Sequence, residues 1–192
     1  LNIPKEKKGC VVECGCYKGG STANLSLVCA LCKRELVIFD SFQGLPTPIK
    51  TDNTHFLISR EEAHFYVKHS FSGTLEEVKQ NVSTYGDITV CTFHQGYFNE
   101  TMPPFFKKCI LIFEDADLQK SVELCVEYLW PLLEDNCYFF THEAMHKEIT
   151  IFFFNKDWWQ KKMKCDPPGL IGAGTGLGLF PDASCRQERR LS

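Results

Sequence analysis

The chain has 192 residues, of which 44% are hydrophobic and 23% are charged, and its formal net charge is -3. One domain of this size and composition buries enough surface for a core without disulfides or a structural metal. The mild acidity argues against a nucleic-acid partner, and the apolar runs are far shorter than the roughly 18 residues of a membrane span. We expect a single domain over residues 1–192, with no nucleic-acid and no membrane partner.

Cysteine is unusually frequent, with eleven copies in the chain. The count is odd and stays below the share that marks a disulfide scaffold. Several cysteines lie in apolar runs, where a free thiol behaves as a small hydrophobic side chain, and the N-terminus shows no secretory signal pattern. We therefore expect a reducing, cytoplasmic compartment.

Five short apolar runs predict strands that are buried on both faces of a parallel sheet. These runs are residues 10–12, 36–39, 88–93, 109–113 and 137–140. Apolar residues at helical spacing predict helices in the stretches that follow the strands. The predicted helices span residues 21–33, 74–85 and 118–133, whereas over residues 144–164 the periodicity does not decide between helix and strand, and helix is the preferred interpretation. This alternation indicates an α/β fold with a Rossmann-like, doubly wound, mostly parallel sheet and helices on both faces.

The first predicted helix carries capping and packing signals. Ser21 is its predicted N-cap. Leu25, Val28, Cys29 and Cys32 share one helical face, which we expect to face the core. The two cysteines have no second pair that could complete a zinc site, so core packing is the preferred interpretation.

Two segments lack regular periodicity. Residues 45–72 contain Pro46 and Pro48 and are interpreted as an irregular insertion or lid, with a short helix at about 61–67. Residues 166–180 are rich in glycine and are interpreted as a flexible loop that faces the substrate.

The turn between the first strand and first helix is the strongest candidate ligand site. Gly15 lies where a glycine lets a ligand approach the backbone, and the start of the helix offers amide donors. The dinucleotide-binding spacing fails because Tyr17 stands two residues after Gly15. Asp40 ends the second strand, where a carboxylate can accept both hydroxyls of a ribose. The pair favours a nucleoside-containing cofactor over a turn that needs glycine only for its geometry.

These motifs resemble those of class I S-adenosylmethionine-dependent methyltransferases, and more narrowly the macrocin O-methyltransferase family. The similarity includes the Glu-Cys-Gly segment before the first helix, Asp-Ser-Phe-Gln-Gly-Leu-Pro from Asp40, Gly-Tyr-Phe-Asn-Glu-Thr-Met-Pro from Gly96, and Asp-Ala-Asp-Leu from Asp115. Order and spacing agree over roughly residues 9 to 143. The resembled enzymes carry helices before the first strand, so part of a lid or oligomer contact is expected to be missing.

The resemblance implies S-adenosylmethionine as the cofactor. It assigns the methionine moiety to Glu13, Gly15, Gly19, Gly20 and Ser21. It assigns the ribose to Asp40 and the adenine edge to Gln95 and Gly96. Tyr17 and Ser41 complete the expected cofactor-binding residues.

A metal site is also implied by the resemblance. In the family an aspartate after the fourth strand and an Asp-Asp pair after the fifth bind magnesium. Asp115 fills the first place, as metal ligand and catalytic residue, whereas His142 and Glu143 replace the pair. Imidazole suits zinc, iron or manganese better than magnesium. We expect magnesium or manganese on these three residues; Asp117 stays open between a site residue and a helix cap.

The expected function is O-methylation of a small hydroxylated acceptor, a sugar or glycosylated natural product. A homo-oligomer is compatible with this expectation. One alternative is an inactive nucleoside-binding domain with an interaction role. A second is a zinc metallohydrolase, because His142-Glu143-x-x-His146 fits the zinc-protease pattern. That pattern belongs inside a helix, yet here it directly follows a predicted strand.

Overall fold

Six strands form one sheet in the computed structural model, which describes residues 3–53 and 66–180. The strands are β1 (Cys10–Cys14), β2 (Leu36–Asp40), β3 (Cys91–Gln95), β4 (Cys109–Glu114), β5 (Leu133–Thr141) and β6 (Gly178–Leu179). Their order is β3-β2-β1-β4-β5-β6. The first five pair in parallel, and β6 is antiparallel to β5.

Helices cover both faces of this sheet, which confirms the predicted α/β fold. They are α1 (Gly20–Cys32), α2 (Leu75–Tyr85), α3 (Phe98–Thr101), α4 (Gln119–Leu129), α5 (Lys147–Phe152) and α6 (Lys156–Trp158). Consecutive strand residues enter opposite cores: Val11 packs with Val78 of α2, and Val12 packs in the cluster that contains Val122 of α4. Burial on both faces explains why β1, β2 and β4 have nearly continuous apolar sequences.

The predicted core face of α1 is partly wrong. Cys29 is buried, but Val28 is 56% exposed and Cys32 is also exposed. The buried residues of this helix are Thr22, Ala23, Ser26 and Cys29. Small side chains let α1 pack closely, and the buried hydroxyls find partners: Ser26 donates to the Ala23 carbonyl at 2.7 Å. The N-cap is Gly19, which makes no side-chain cap, and not Ser21.

Several predicted boundaries shift. Residues 88–90 form a 3₁₀ turn, so β3 begins at Cys91. The helix predicted to reach residue 133 ends at Leu129, because Pro131 lies in a 3₁₀ turn and β5 already begins at Leu133. The helix predicted over 74–85 is confirmed as α2, with Thr74 as its N-cap.

The remaining segments match the sequence expectations only in part. Residues 144–164 are mainly helical, with α5, α6 and a π-helical turn (Trp159–Met163). The glycine-rich segment supplies β6 and borders β5 rather than the cavity described below. The helix predicted at 61–67 lies mostly outside the described residues.

Two further features bear on the expected compartment. Nine described cysteines are free thiols, whereas Cys165 is disulfide-bonded. None of the helices in the described part of the chain is long and apolar enough to cross a membrane. The compartment itself stays a prediction.

Candidate active site

A cavity of about 850 Å³ opens at the carboxyl ends of the parallel strands. Gly15 follows β1, Asp40 ends β2, Asp115 follows β4 and His142 follows β5, and all four line the cavity. Open α/β sheets bind their ligands at this edge. The predicted insertion supplies further lining residues: Leu45, Pro46, Thr47, Ile49, Asp52, Tyr66 and Phe71.

Asp52 ties the insertion to α4. Its carboxylate is buried and accepts one hydrogen bond from the Ile49 amide at 2.7 Å and another from the Gln119 amide at 3.0 Å. Leu45, Tyr66 and Leu118 form a small buried cluster beside it. The described residues of the insertion are therefore packed onto the start of α4 as part of the cavity wall.

Gly15 holds the β1 and β4 ends together. Its φ is +83°, and a Cβ atom here would overlap the carbonyl oxygen of Asp115. The Gly15 amide donates to the Phe39 carbonyl at 2.9 Å, and the Asp115 amide donates to the Cys14 carbonyl at 2.9 Å. Only glycine fits this backbone without displacing the chain that carries Asp115.

The Asp40 carboxylate is held in a fixed orientation. One oxygen accepts the Cys16 amide and the other accepts the Phe42 amide, both at 2.7 Å. Because each carboxylate oxygen can accept more than one hydrogen bond, both retain capacity for ligand hydroxyls. Ser41 is buried beside it and donates to the Gly44 carbonyl at 2.8 Å.

Glu13 lies beneath the start of α1 rather than on the cavity wall. Its Oε2 accepts the Thr22 hydroxyl at 2.6 Å, and burial raises its pKa to about 7. Gly19, Gly20 and Ser21, the other residues of this turn expected to bind cofactor, also lie outside the cavity lining. Tyr17 does line it.

The expected adenine residues, Gln95 and Gly96, do not line the cavity. Tyr97, Phe98 and Asn99, the next three residues, do so instead. The rings of Tyr97 and Phe98 offer the flat surface that a base stacks on. Both rings belong to the Gly-Tyr-Phe-Asn motif that begins at Gly96, so two adjacent aromatic residues after β3 were the sequence signal for this part of the site.

Three predicted metal ligands come together in the structure. Asp115, His142 and Glu143, which we call the ligand cluster, each offer one donor atom, and these atoms all lie within 4.8 Å of one another. His142 Nδ1 is 3.2 Å from Asp115 Oδ1 and 3.9 Å from Glu143 Oε1. The hydrogen bond to Asp115 raises the pKa of His142 to about 9.

Glu143 is buried and only partly paired. Its side chain is 2% exposed, and Oε2 lies 2.8 Å from His146 Nε2. Its Oε1 has no hydrogen-bond partner. His142 lies in the turn after β5, and His146 directs Nε2 to Glu143, so the two histidines do not share a helical face as a zinc protease requires.

Further acidic residues surround the ligand cluster. Asp117 lines the cavity, and burial together with Glu143 and Asp115 raises its pKa to about 8. It is not the N-cap residue of α4, which is Leu118, and Asp52 accepts the first helical amide. Glu114 is fully buried, accepts the Thr141 hydroxyl at 2.5 Å, and has a pKa raised well above its ordinary value by burial.

The strand order and the ligand edge define a class I methyltransferase fold, and solved structures agree. The O-methyltransferase NovP is 21% identical, with a TM-score of 0.70 over 90% of this chain and 71% of its own. The calicheamicin methyltransferase CalS11 is 15% identical, with a TM-score of 0.69 over 92% and 73%. The SAH-bound Podospora anserina methyltransferase PaMTH1 is 16% identical, with a TM-score of 0.51 over 88% and 69%.

The chain belongs to the macrocin O-methyltransferase (TylF) family, which it matches over residues 3–152. It is accordingly an S-adenosylmethionine-dependent O-methyltransferase. No curated protein sequence matches it significantly. The inactive-domain and zinc-hydrolase alternatives are not favoured.

Proposed function

We propose that this enzyme methylates a hydroxyl of a sugar or glycosylated natural product, with the ligand cluster as a divalent metal site. The observation that carries the proposal is the placement of Asp115, His142 and Glu143 on the same cavity as Asp40. Among the structural relatives, CalS11 is described as a TDP-rhamnose 3'-O-methyltransferase, which supports a glycosyl acceptor.

The cofactor half of the cavity is built by backbone and by Asp40. We assign the ribose hydroxyls to the Asp40 carboxylate, which two amides already hold in place. Gly15 and Tyr17 border the methionine moiety, and Tyr97 and Phe98 flank the adenine. The remaining expected residues shape the site without lining the cavity, apart from Ser41. Through Thr22, Glu13 holds the turn at the start of α1, which contains Gly19, Gly20 and Ser21. At the ends of β2 and β3 lie Ser41, Gln95 and Gly96.

The ligand cluster fits a divalent cation. Glu143 Oε1 is a buried carboxylate oxygen without a partner, and an uncompensated buried carboxylate is costly. Two carboxylates and one imidazole suit manganese better than magnesium, because magnesium prefers oxygen ligands. A bound divalent metal lowers the pKa of a coordinated hydroxyl and fixes its orientation.

In the methyl transfer, the residues of this chain position the two reactants and accept a proton. S-adenosylmethionine supplies an electrophilic methyl group that is bonded to a sulfonium sulfur. As the new carbon–oxygen bond forms, the carbon–sulfur bond breaks and its electron pair stays on the sulfur. The cavity holds donor and acceptor in line. Asp115, which lines the cavity, accepts the proton that the acceptor hydroxyl loses.

Two substitutions separate the assigned roles. Asp40→Ala removes charge-assisted hydrogen bonds worth about 1.5–3 kcal/mol each, so we expect S-adenosylmethionine to bind roughly 10- to 100-fold more weakly. Asp115→Ala should leave cofactor affinity unchanged and abolish turnover. Calorimetry measures the affinity, and S-adenosylhomocysteine formation with a panel of nucleoside diphosphate sugars measures turnover.

Three results would contradict the proposal. Equal loss of cofactor affinity in both variants would refute the division of roles. Turnover that is unaffected by removing and restoring Mn²⁺ or Mg²⁺ would refute the metal site. Turnover of simple phenols in preference to glycosides would refute the acceptor class. A homo-oligomer stays a prediction that sedimentation of the intact chain tests.

A further inference from the structure

Glu143 Oε2 belongs to a buried polar network that also includes His146 and Tyr66. His146 is 3% exposed, and its Nε2 lies 2.8 Å from Glu143 Oε2 and 2.8 Å from the Tyr66 hydroxyl oxygen. Tyr66 also forms a hydrogen bond with Asp117. The network therefore joins the end of the insertion to the turn after β5.

One assignment of protons satisfies all these contacts. Nε2 carries a hydrogen and donates it between Glu143 Oε2 and the Tyr66 oxygen, while the Tyr66 hydroxyl donates to Asp117. An imidazole nitrogen that donates in this way has no lone pair left for a metal. Nε2 of His146 is therefore excluded as a ligand atom, and His146 does not belong to the ligand cluster.

The side chain of His146 is not needed to begin α5. His146 is the N-cap residue of α5, yet its side chain makes no capping hydrogen bond. The backbone forms the turn by itself: the His146 amide donates to the Glu143 carbonyl at 3.0 Å, and the Thr150 amide donates to the His146 carbonyl at 2.8 Å. The buried imidazole instead contacts Glu143 and Tyr66 through Nε2.

We propose that His146 is a positioning residue that fixes Glu143 so that its free Oε1 faces the ligand cluster, and that Tyr66 couples this arrangement to the insertion. The inference rests on the proposed metal site. With Oε2 held by His146, the carboxylate cannot turn both oxygens away, and Oε1 stays 3.9 Å from His142 Nδ1. Hydrogen bonds of this kind orient metal ligands and set their basicity.

The test compares two amide substitutions that differ in reach. In His146→Gln the amide nitrogen extends to the position of Nε2 and can still donate to Glu143. In His146→Asn the shorter amide cannot. Mn²⁺ binding to the full chain is followed by the electron paramagnetic resonance of free Mn²⁺, and S-adenosylmethionine binding is followed by calorimetry. His94→Gln, outside the cavity lining, is the control for a histidine replacement.

We expect His146→Asn to bind Mn²⁺ about 10- to 100-fold more weakly than the wild type, as is typical for loss of such an orienting partner. His146→Gln should recover most of this affinity, and Tyr66→Phe should weaken binding by a smaller factor, because the bond to Glu143 remains. Cofactor affinity should be unchanged in all variants, which also shows that they fold.

The outcomes separate this inference from the proposed function. Wild-type Mn²⁺ affinity in His146→Asn would overturn the positioning role and leave the metal site standing. Equal weakening in both amide variants would also overturn it, because packing rather than a donated hydrogen bond would then matter. A wild type that binds cofactor but no Mn²⁺ would overturn the metal site and the inference together.

Discussion

Replacing Glu13 with Gln should change how the stability of the protein depends on pH. The Glu13 side chain has no solvent exposure, and burial raises its pKa from an ordinary 4.5 to about 7. Below pH 4.5 the carboxyl is protonated in the folded and the unfolded chain. As the pH rises towards 7 the unfolded chain loses its proton first, so the free energy of unfolding falls.

The size of this effect follows from the pKa. One pKa unit corresponds to about 1.4 kcal/mol, so ionised Glu13 destabilises the folded chain by about 3 kcal/mol above pH 7. Glu13→Gln removes the ionisation but keeps an oxygen that accepts the Thr22 hydroxyl. The stability of the variant relative to wild type should therefore rise by about 2 to 3 kcal/mol between about pH 5 and about pH 8.

Urea unfolding followed by circular dichroism measures this difference at each pH. Comparing the two proteins at both pH values cancels any pH-independent cost of the substitution. Glu76→Gln, on the exposed surface of α2, is the matched control and should show no such trend. A Glu13→Gln difference that stays constant with pH would show that the carboxyl is not buried in an uncompensated form.

Two further pairs of substitutions test the packing. Gly15→Ala should abolish cofactor binding, because a Cβ atom collides with the Asp115 carbonyl, whereas Gly20→Ala meets nothing within 4 Å and should bind normally; calorimetry compares them. Phe153→Ala should lower the free energy of unfolding by about 3–5 kcal/mol. Phe154→Ala, at a side chain that is 55% exposed, should change it by at most about 0.5 kcal/mol. Equal unfolding midpoints for the two would contradict the assigned core.

The centre of the sheet was predictable because β1, β2 and β4 are buried on both faces. Val11 and Val12 enter opposite cores, so the sequence shows an unbroken apolar run that no amphipathic helix shares. Helix α1 was harder. Its buried stripe is made of small and hydroxyl-bearing residues such as Thr22 and Ser26, whose burial depends on partners elsewhere in the chain. Hydrophobic periodicity places the larger Val28 inward instead.

The ligand cluster was predictable because strand ends converge, but its support was not. Asp115 and His142 follow neighbouring strands, so their meeting needs only the sheet order. Asp52 reaches the amide of Gln119 across 67 positions of sequence, and Tyr66 reaches His146 across 80. No local pattern encodes such contacts, since each depends on where an irregular segment packs.

The packing of the insertion onto α4 separates two kinds of evolutionary change. Backbone geometry around Gly15 and Asp40 tolerates almost no variation, because amides and a positive φ angle define it. The described residues of the insertion line the cavity with side chains, among them Leu45, Tyr66 and Phe71, and Asp52 anchors them to α4. Under the proposed function, substitutions in these side chains can change the acceptor that fits the cavity while the backbone around Gly15 and Asp40 still binds the cofactor, so new acceptor preferences can arise without a change in the fold.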